Sequence, residues 1–315
     1  MEISAIIPIK DGSAHLSMYL DSLLEQLICP EFVIEYHIYK SRFLEKGINV
    51  ILGSSAHSRG VGFAKNCVQQ CGGSVLIFCD ADDISIKHRF ISLYNVLLNA
   101  PRSCWFKTRT HTSSGSTSRY AQWANSLNSK EIYDQIFTSY GPSVIAPTWC
   151  MSKKLFNKVG GFHEAEPVGY PEDLHFFYDA LKIGADFMKI EKSLVICRYH
   201  PKCASLVVTK EMIWKMHSNE LVLSKWKKFM VWSVGKVGKK FYRSLSENRL
   251  KVVAFCDIDA KKLHCGHYEL FQVSGNEMIA PIAICLKMDS FVCQEVRKIL
   301  RTREMVEGMD YFYLG

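Results

Sequence analysis

The stretch "VLIFCDADD", residues 75–83, joins a run of apolar side chains to three closely spaced carboxylates. Apolar residues at successive positions, rather than at alternate ones, are typical of a strand that is buried on both faces of a sheet. In open α/β sheets, ligands bind at the carboxyl ends of the strands. We therefore predict that Asp80, Asp82 and Asp83 lie at such a strand end and point into a cleft.

Strand and helix patterns alternate along the sequence on both sides of this stretch. Strand patterns occupy residues 4–9, 48–53, 74–79 and 192–200. Helix patterns occupy residues 16–27, 59–70, 88–99, 152–162 and 171–184, the last two with Ser152 and Pro171 at their starts and glycines at their ends. This alternation predicts an α/β fold with a mostly parallel sheet that is covered on both faces.

A second, smaller α/β pattern follows Trp226. Strand patterns at 229–235, 251–259, 282–287 and 310–314 alternate with helix patterns at 236–245 and 291–300. We predict two domains, residues 1–226 and a small Rossmann-like domain of residues 227–315 that acts as a scaffold or as a docking module. Its Gly235 and Gly238 match a dinucleotide fingerprint only weakly. The basic residues of the helix at 236–245 suit phosphate contacts or an ordinary solvated face equally well: Lys236, Lys239, Lys240 and Arg243.

Charge and composition limit the classes of partner and compartment. The 315-residue chain has a net charge of +8, and residues 84–130 carry seven Lys and Arg but no Asp or Glu. Trp105, Phe106, Tyr120 and Trp123 lie among these cations, which favours either a surface for a polyanion or a solvated basic face. No apolar run approaches the length of about 20 residues that spans a bilayer, and the N-terminus lacks a signal-peptide pattern. We therefore expect a cytoplasmic protein.

The acidic strand end has the chemistry of a metal and phosphate site. Hard divalent cations prefer carboxylate oxygen, and Mg²⁺ or Mn²⁺ held in this way usually also binds a phosphate. On an extended chain, Asp80 and Asp82 would point to the same side and would suit a metal ion and a sugar hydroxyl. The alternative is a capping or turn cluster. His200 follows another strand and either completes the metal site or has a structural part.

Two helix starts supply further candidates. Arg59, Lys65 and Asn66 belong to a helix that is entered through glycines, and they suit a phosphate or a nucleotide base. Glu172 and Asp173 lie in the first turn of another helix, where the helix dipole favours an ionised carboxylate that can act as a general base. The alternative for this pair is a set of ordinary acids at a helix N-terminus.

The motifs "AIIPIKDG", "RGVGFAKN", "DADD", "GGFHE", "PEDL" and "RYH", in this order, resemble the family 2 glycosyltransferases with a GT-A fold. The segments "FTSYGPSVIAPTW", "VWSVGKVGKKFYRSL" and "KVVAFCDIDAKKL" extend the likeness, since they resemble the queuosine-tRNA galactosyltransferases. This resemblance implies an inverting enzyme that uses Mn²⁺ or Mg²⁺. It also implies UDP-galactose as the donor and queuosine at the wobble position of tyrosine tRNA as the acceptor.

The resemblance also implies a role for each matching residue. Asp80 would contact the ribose of the sugar nucleotide, and Arg59, Lys65 and Asn66 would face the nucleotide. Asp82 would be the main metal ligand, supported by Asp83 and His200. Asp173 would deprotonate the acceptor hydroxyl, with Glu172 beside it.

The region before the "RGVGFAKN" motif departs from the family pattern. The family has a second strand that ends in an aspartate in contact with uracil, whereas no aspartate occurs here between Asp21 and Asp80. We expect part of that strand and its turn to be missing, with Glu35 as the acidic residue in its place. Two alternatives therefore stay open: a transferase of the same fold with a protein, lipid or glycan acceptor, and a catalytically impaired isoform that only binds tRNA.

Overall fold

The computed structural model describes residues 2–10, 13–26, 34–36, 49–50, 59–99, 103–111, 122, 125–126, 128, 146–164, 169–198, 200–259, 281–286 and 291–314. These residues form two compact units that divide between Val207 and Val208. The predicted domain boundary at residues 226 and 227 lies further along the chain. The helix Lys210–His217, which was not predicted from the sequence, belongs to the second unit.

The first unit is built on a mixed sheet of eight strands, and the sequence predicted β1, β3, β4 and β8 among them. In chain order they are β1 (Ile3–Ile6), β2 (Ile34–Tyr36), β3 (Asn49–Val50), β4 (Val75–Phe78), β5 (Ile84–Ser85), β6 (Ser103–His111), β7 (Cys150–Ser152) and β8 (Asp186–Cys197). The strand order is β3-β2-β1-β4-β7-β6-β8-β5. Strands β1 to β4 are parallel, and β6 is parallel to β8, whereas β7 runs against β4 and β6 and β5 runs against β8. The prediction of a mostly parallel sheet is confirmed.

The helices of this unit begin and end close to their sequence signals. They are α1 (Ser13–Leu24), α2 (Val61–Asn66), α3 (Arg89–Asn99), α4 (Lys153–Val159) and α5 (Glu172–Lys182). The Ser152 hydroxyl accepts a hydrogen bond from the Leu155 amide at 3.1 Å, and Gly160 ends α4 in the left-handed conformation, with φ 100°. Both features are the caps that the sequence predicted.

Strand β4 lies in the middle of the hydrophobic core. All four of its residues are buried, and Val75 and Ile77 pack with Tyr19 of α1 and Phe90 of α3 in one apolar cluster. Burial of each such side chain contributes about 1.5–3 kcal/mol to folding. The strand is therefore a rigid base for the acidic residues that follow it.

A short strand is present where the resemblance led us to expect a gap. Strand β2 lies beside β1 in parallel, with Ile34 opposite Ile3 and Glu35 opposite Ser4. Glu35 is thus within the strand rather than at its end. The turn that would carry the uracil contact falls in residues 37–48, which lie outside the described part of the chain.

The second unit is a four-stranded parallel sheet with helices. Its elements are α6 (Lys210–His217), β9 (Phe229–Trp232), α7 (Lys236–Ser244), β10 (Val252–Cys256), β11 (Ile282–Ile284), α8 (Phe291–Thr302) and β12 (Tyr311–Tyr313). The strand order β10-β9-β11-β12, parallel throughout, is that of a small Rossmann-like unit. Over the described residues of both units, no helix combines the length and the apolar character that crossing a membrane requires.

Candidate active site

The acidic stretch after β4 forms a tight turn. The Asp83 amide donates to the Asp80 carbonyl at 3.2 Å, and the Cys79 amide donates to the Ile6 carbonyl at 2.9 Å. The expectation that Asp80 and Asp82 share one side of an extended chain is therefore wrong, because the backbone turns between them. The turn was the alternative interpretation of this cluster, but it does not exclude a ligand site.

Strand pairing brings the end of β8 to this turn. Ile84 of β5 pairs antiparallel with Ile196 of β8, so the residues just before Ile84 lie beside the residues just after Cys197. The Arg198 amide donates to Oδ1 of the buried Asp83 at 3.2 Å. The sheet thus joins two sequence motifs that are far apart in the chain.

The Arg198 side chain fastens the turn to the first helix. Its Nε donates to the Asp82 carbonyl, and its guanidinium donates to the His15 carbonyl at 3.0 Å. Hydrogen bonds to charged groups are worth about 1.5–3 kcal/mol. Asp83 and Arg198 therefore hold the Asp82 backbone in place, which leaves the Asp82 carboxylate available to other groups.

Asp82 is grouped with His200 and, unexpectedly, with Cys203. The Asp82 Oδ2 atom lies 2.9 Å from His200 Nε2, and the ligand atoms of Asp82, His200 and Cys203 all lie within 4.8 Å of one another. A carboxylate, an imidazole and a thiol form a donor set that fits a divalent first-row ion. Asp83 lies outside this group. Cys203 was not among the predicted ligands, although its position three residues after His200 was a signal in the sequence.

The second cluster centres on a buried ammonium group. Lys65 is 3% exposed, and its Nζ lies 2.9 Å from Oε1 of Glu172. Burial alone would lower the pKa of Lys65, but the charges of Glu172, Asp80 and Asp173 raise it above its usual range. Lys65 therefore stays protonated, and its charge acts on three carboxylates at once.

Asp173 is the perturbed acid of this cluster. Desolvation and the neighbouring Glu172 raise its pKa to about 7, although Lys65 and a hydrogen bond from the Leu174 amide act in the opposite direction. Asp80 also contributes to the increase. A carboxylate that titrates near neutral pH can both take up and release a proton under working conditions, as a general base must do.

Aromatic packing fixes the helix that carries this acid. Phe176 of α5 stacks on Phe162, with ring centroids 4.6 Å apart, and it contacts Trp149 at 5.5 Å. Such pairs contribute about 0.5–1.5 kcal/mol each beyond the area they bury. The start of α5, with Glu172 and Asp173, is therefore held against the sheet.

The remaining residues predicted to bind the nucleotide have protein partners. Asn66 binds both backbone groups of Phe162, as donor at 2.8 Å and as acceptor at 2.7 Å, and it donates to Glu164 at 2.7 Å. The largely exposed Arg59 pairs with Glu164 at 3.3 Å. A Cβ atom on Gly62 would lie 2.2 Å from the His163 carbonyl oxygen. These contacts explain why the "GGFHE" segment packs against α2. The nucleotide contacts of Arg59 and Asn66 stay predictions.

The predicted polyanion surface is only partly within the described residues. Lys107 and Arg109 lie in β6, where the backbone alone is described. Arg119, Tyr120 and Trp123 lie outside the described residues. On α7, Lys240 is paired with Glu211, whereas Lys236 and Arg243 are exposed.

The glycines at the start of α7 have a packing role. A Cβ atom on Gly238 would lie 1.9 Å from the Ser233 carbonyl oxygen, so the helix approaches the end of β9 too closely for any other residue. The buried Asp257 accepts hydrogen bonds from the Val234 amide at 3.0 Å and from the Asp259 amide at 3.1 Å. Its carboxylate is thus engaged with backbone rather than presented to a ribose.

Comparison with solved structures identifies the fold of the chain. No protein-family profile matches the sequence. S. aureus TarS 1-349 in complex with UDP-GlcNAc is 15% identical with a TM-score of 0.50, over 78% of this chain and 71% of that chain. A structure of S. aureus TarS is 15% identical with a TM-score of 0.48, and the match covers 78% of this chain and 42% of that chain. The mannosyltransferase PcManGT from Pyrobaculum calidifontis, in complex with GDP-Man and Mn²⁺, is 13% identical with a TM-score of 0.49. That match covers 70% of this chain and 63% of that chain. This chain therefore spans less than half of the longer TarS chain. The likeness to TarS 1-349 confirms the GT-A-like α/β fold class.

Proposed function

We propose that this chain is an inverting, metal-dependent glycosyltransferase that transfers galactose from UDP-galactose to queuosine at the wobble position of tyrosine tRNA. The observation that carries the proposal is the arrangement of two acidic clusters around Asp80. Asp80 lies in the turn that carries Asp82, and its charge also acts on Lys65 and Asp173. One cluster suits a nucleotide diphosphate with its metal ion, and the other suits an acceptor hydroxyl.

The donor side of the site is assigned to the turn after β4. Asp82 and His200 hold the divalent ion, Mn²⁺ or Mg²⁺, which when bound neutralises the charge of the leaving diphosphate. Asp83 supports them through Arg198. Asp80 contacts the ribose, while Arg59, Lys65 and Asn66 line the nucleotide side. Lys65 contributes a positive charge close to the carboxylates of Glu172, Asp80 and Asp173.

The acceptor side of the site is assigned to the start of α5. The Asp173 carboxylate takes the proton from a hydroxyl of the queuosine cyclopentenediol as that oxygen attacks the anomeric carbon. The bond from that carbon to the diphosphate oxygen breaks on the opposite face, and this displacement inverts the anomeric configuration. Desolvation and, after it, the charge of Glu172 keep the pKa of Asp173 high enough for the carboxylate to be an effective base near neutral pH.

The choice of tRNA as acceptor rests on sequence. The resemblance to queuosine-tRNA galactosyltransferases continues into the second unit, and residues 84–130 carry seven cations without an acidic residue. Exposed cations without neighbouring acids suit the phosphate backbone of tRNA, but Arg89 is buried and does not belong to such a surface. The choice of galactose rests on the resemblance alone.

One observation favours a second candidate, a tRNA-binding isoform with impaired transfer. The segment between Asp21 and Asp80 lacks the aspartate that contacts uracil in the family. Strand β2 is present, but its Glu35 is not at the strand end. Such an isoform would bind tRNA with salt-dependent affinity and would bind UDP-galactose weakly.

The deciding experiment is the transfer of labelled galactose to queuosine-containing tyrosine tRNA in the presence of Mn²⁺. Queuosine-free tRNA of the same sequence is the acceptor control, and UDP-glucose and UDP-GlcNAc are the donor controls. Incorporation from UDP-galactose into the queuosine-containing tRNA alone would support the whole proposal. Transfer to a glycan, lipid or protein instead would support glycosyltransferase activity but refute tRNA as the acceptor. Binding of tRNA without incorporation would favour the impaired isoform.

The tRNA contact has its own test in the salt dependence of binding. Replacement of Lys107, Arg109 and Arg119 by Gln should weaken binding and flatten the plot of log affinity against log salt. Each lost phosphate contact reduces that slope by about 0.7–0.9. Replacement of the exposed Lys154 and Lys158 of α4 by Gln is the matched control for loss of cations elsewhere. An unchanged slope in the first variant would make the basic segment a solvated face.

A further inference from the structure

We propose that Cys203 is a third protein ligand of the divalent ion, and that the site therefore binds thiophilic ions such as Zn²⁺ and Co²⁺ more tightly than Mg²⁺. This inference rests on the metal site of the proposed function and specifies its chemistry. Among the described residues, Asp82, His200 and Cys203 form the one group of three donors that lie close enough together to share an ion.

A tight turn holds the Cys203 sulfur beside the backbone of Arg198 and His200. The Cys203 amide donates to the His200 carbonyl at 3.0 Å, and the His200 amide donates to the Cys203 sulfur at 3.2 Å. The backbone thus folds back on itself over these four residues. Cys203 is a half-buried residue in the same group as the Asp82 carboxylate.

The spacing of the three donors fits a small divalent ion. Metal–ligand distances of about 2.0–2.2 Å for oxygen and nitrogen and about 2.3 Å for sulfur place tetrahedral ligands about 3.4–3.6 Å apart. The ligand atoms of the group all lie within 4.8 Å of one another, and the Asp82–His200 separation is 2.9 Å. An ion between them would require the Asp82 and His200 side chains to move apart.

His200 would hold the ion through Nε2, the ring nitrogen that lies 2.9 Å from Asp82 Oδ2. Its other ring nitrogen, Nδ1, lies 3.2 Å from the Lys202 amide.

The donor set determines the ion preference. The Cys203 thiol would release its proton to solvent as the ion binds. The resulting thiolate is a soft ligand that favours Zn²⁺ and Co²⁺, whereas Mg²⁺ prefers oxygen. One carboxylate and one thiolate neutralise the two positive charges of the ion, and three protein ligands leave a position open. Catalytic zinc sites share this pattern. In this chain the open position would accept an oxygen of the diphosphate.

The test is a Co²⁺ titration of the metal-free, full-length protein without sugar nucleotide. Coordination of a thiolate to Co²⁺ produces a charge-transfer absorption in the near ultraviolet, which reports the sulfur ligand independently of transferase activity. We expect this absorption in the wild type and its loss in Cys203→Ser. Cys197→Ser is the matched control, because Cys197 is a half-buried thiol of β8 outside the group.

The affinities for Zn²⁺ and Mg²⁺ complete the test. Removal of an outer-shell partner of a metal ligand already costs about 10–100-fold in affinity, so Cys203→Ser should weaken Zn²⁺ binding at least about tenfold and leave Mg²⁺ binding nearly unchanged. Circular dichroism and a second variant, Cys203→Ala, separate this loss from misfolding.

The outcomes distinguish the two proposals. Binding of Co²⁺ that Asp82→Ala abolishes, but without the thiolate absorption, would refute the role of Cys203 and keep the metal site. An absorption that persists in Cys203→Ser would also refute the inference, since another thiol would be the ligand. Failure of the wild type to bind Co²⁺, Zn²⁺ or Mn²⁺ would refute both the inference and the metal requirement of the proposed function.

Discussion

Replacement of Asp173 by Asn should stabilise the folded protein at neutral pH while it abolishes transfer. The pKa of Asp173 is raised from its ordinary value of 3.8 to about 7, chiefly by desolvation and by Glu172. Between these two values the folded protein keeps the proton and the unfolded chain has lost it. The folded state binds more protons, so its stability falls as the pH rises from about 4 to about 7 and is then constant.

The size of the effect follows from the same two pKa values. A difference of about three pKa units corresponds to about 4 kcal/mol at about 1.4 kcal/mol per unit. Because Asp173 is only partly buried and solvent screens part of this effect, we expect about 2–4 kcal/mol. Asn keeps the oxygen that accepts from the Leu174 amide but cannot ionise, so Asp173→Asn avoids this cost.

Urea unfolding of the wild type and of Asp173→Asn at a series of pH values measures the effect. The difference in free energy of unfolding between the two proteins should grow between about pH 4 and pH 7 and should then stay constant. Asp179→Asn is the matched control, because Asp179 is an acid of the same helix in partly exposed pairs with Lys182 and His175. Such pairs contribute about 0.2–1 kcal/mol. A parallel pH dependence of the wild type and Asp173→Asn would refute the reasoning.

Three further substitutions test the surroundings of the site. Lys65→Met leaves the carboxylate of Glu172 without its buried partner and should destabilise the protein by about 3–5 kcal/mol. It should also move the pH profile of transfer to higher pH, because the pKa of Asp173 rises when the neighbouring positive charge is removed. An unmoved profile would argue against Asp173 as the base. Gly62→Ala places a Cβ atom 2.2 Å from a carbonyl oxygen and should lower the thermal unfolding temperature, at a cost of about 1–3 kcal/mol. Gly238→Ala creates a contact of 1.9 Å in the second unit. It should destabilise that unit by a similar amount, and limited proteolysis would detect the loss of stability. If the variant binds tRNA more weakly but keeps its affinity for UDP, a docking role for the second unit is supported.

The elements of the first unit follow closely from local sequence signals. The uninterrupted apolar run of residues 75–78 is fully buried, as a strand in the interior of a sheet requires. The Ser152 cap and the left-handed Gly160 mark the ends of α4 where the residue types alone indicated. These features depend on interactions within a few residues, so they can be predicted from the amino-acid sequence.

The conformation of the acidic turn depended on contacts that no local pattern encodes. The hydrogen bond from the Asp83 amide to Asp80 closes a turn in place of the expected extended chain. Arg198 stabilises that turn from the end of β8. The antiparallel β5–β8 pairing that brings Arg198 there was not foreseen, because each strand's partner is chosen by the whole sheet.

The sequence by itself determined which residue types are available: a strand that ends in three acids, a helix that begins with two more, and a histidine after the last strand of the first unit. The tertiary structure decided how they are grouped. It placed Cys203 beside Asp82, and it buried Lys65 against Glu172. It also raised the pKa of Asp173 to about 7. The physical reason is that metal-ligand geometry and pKa values depend on distances and desolvation between groups that are remote along the chain, and only the folded sheet sets those distances.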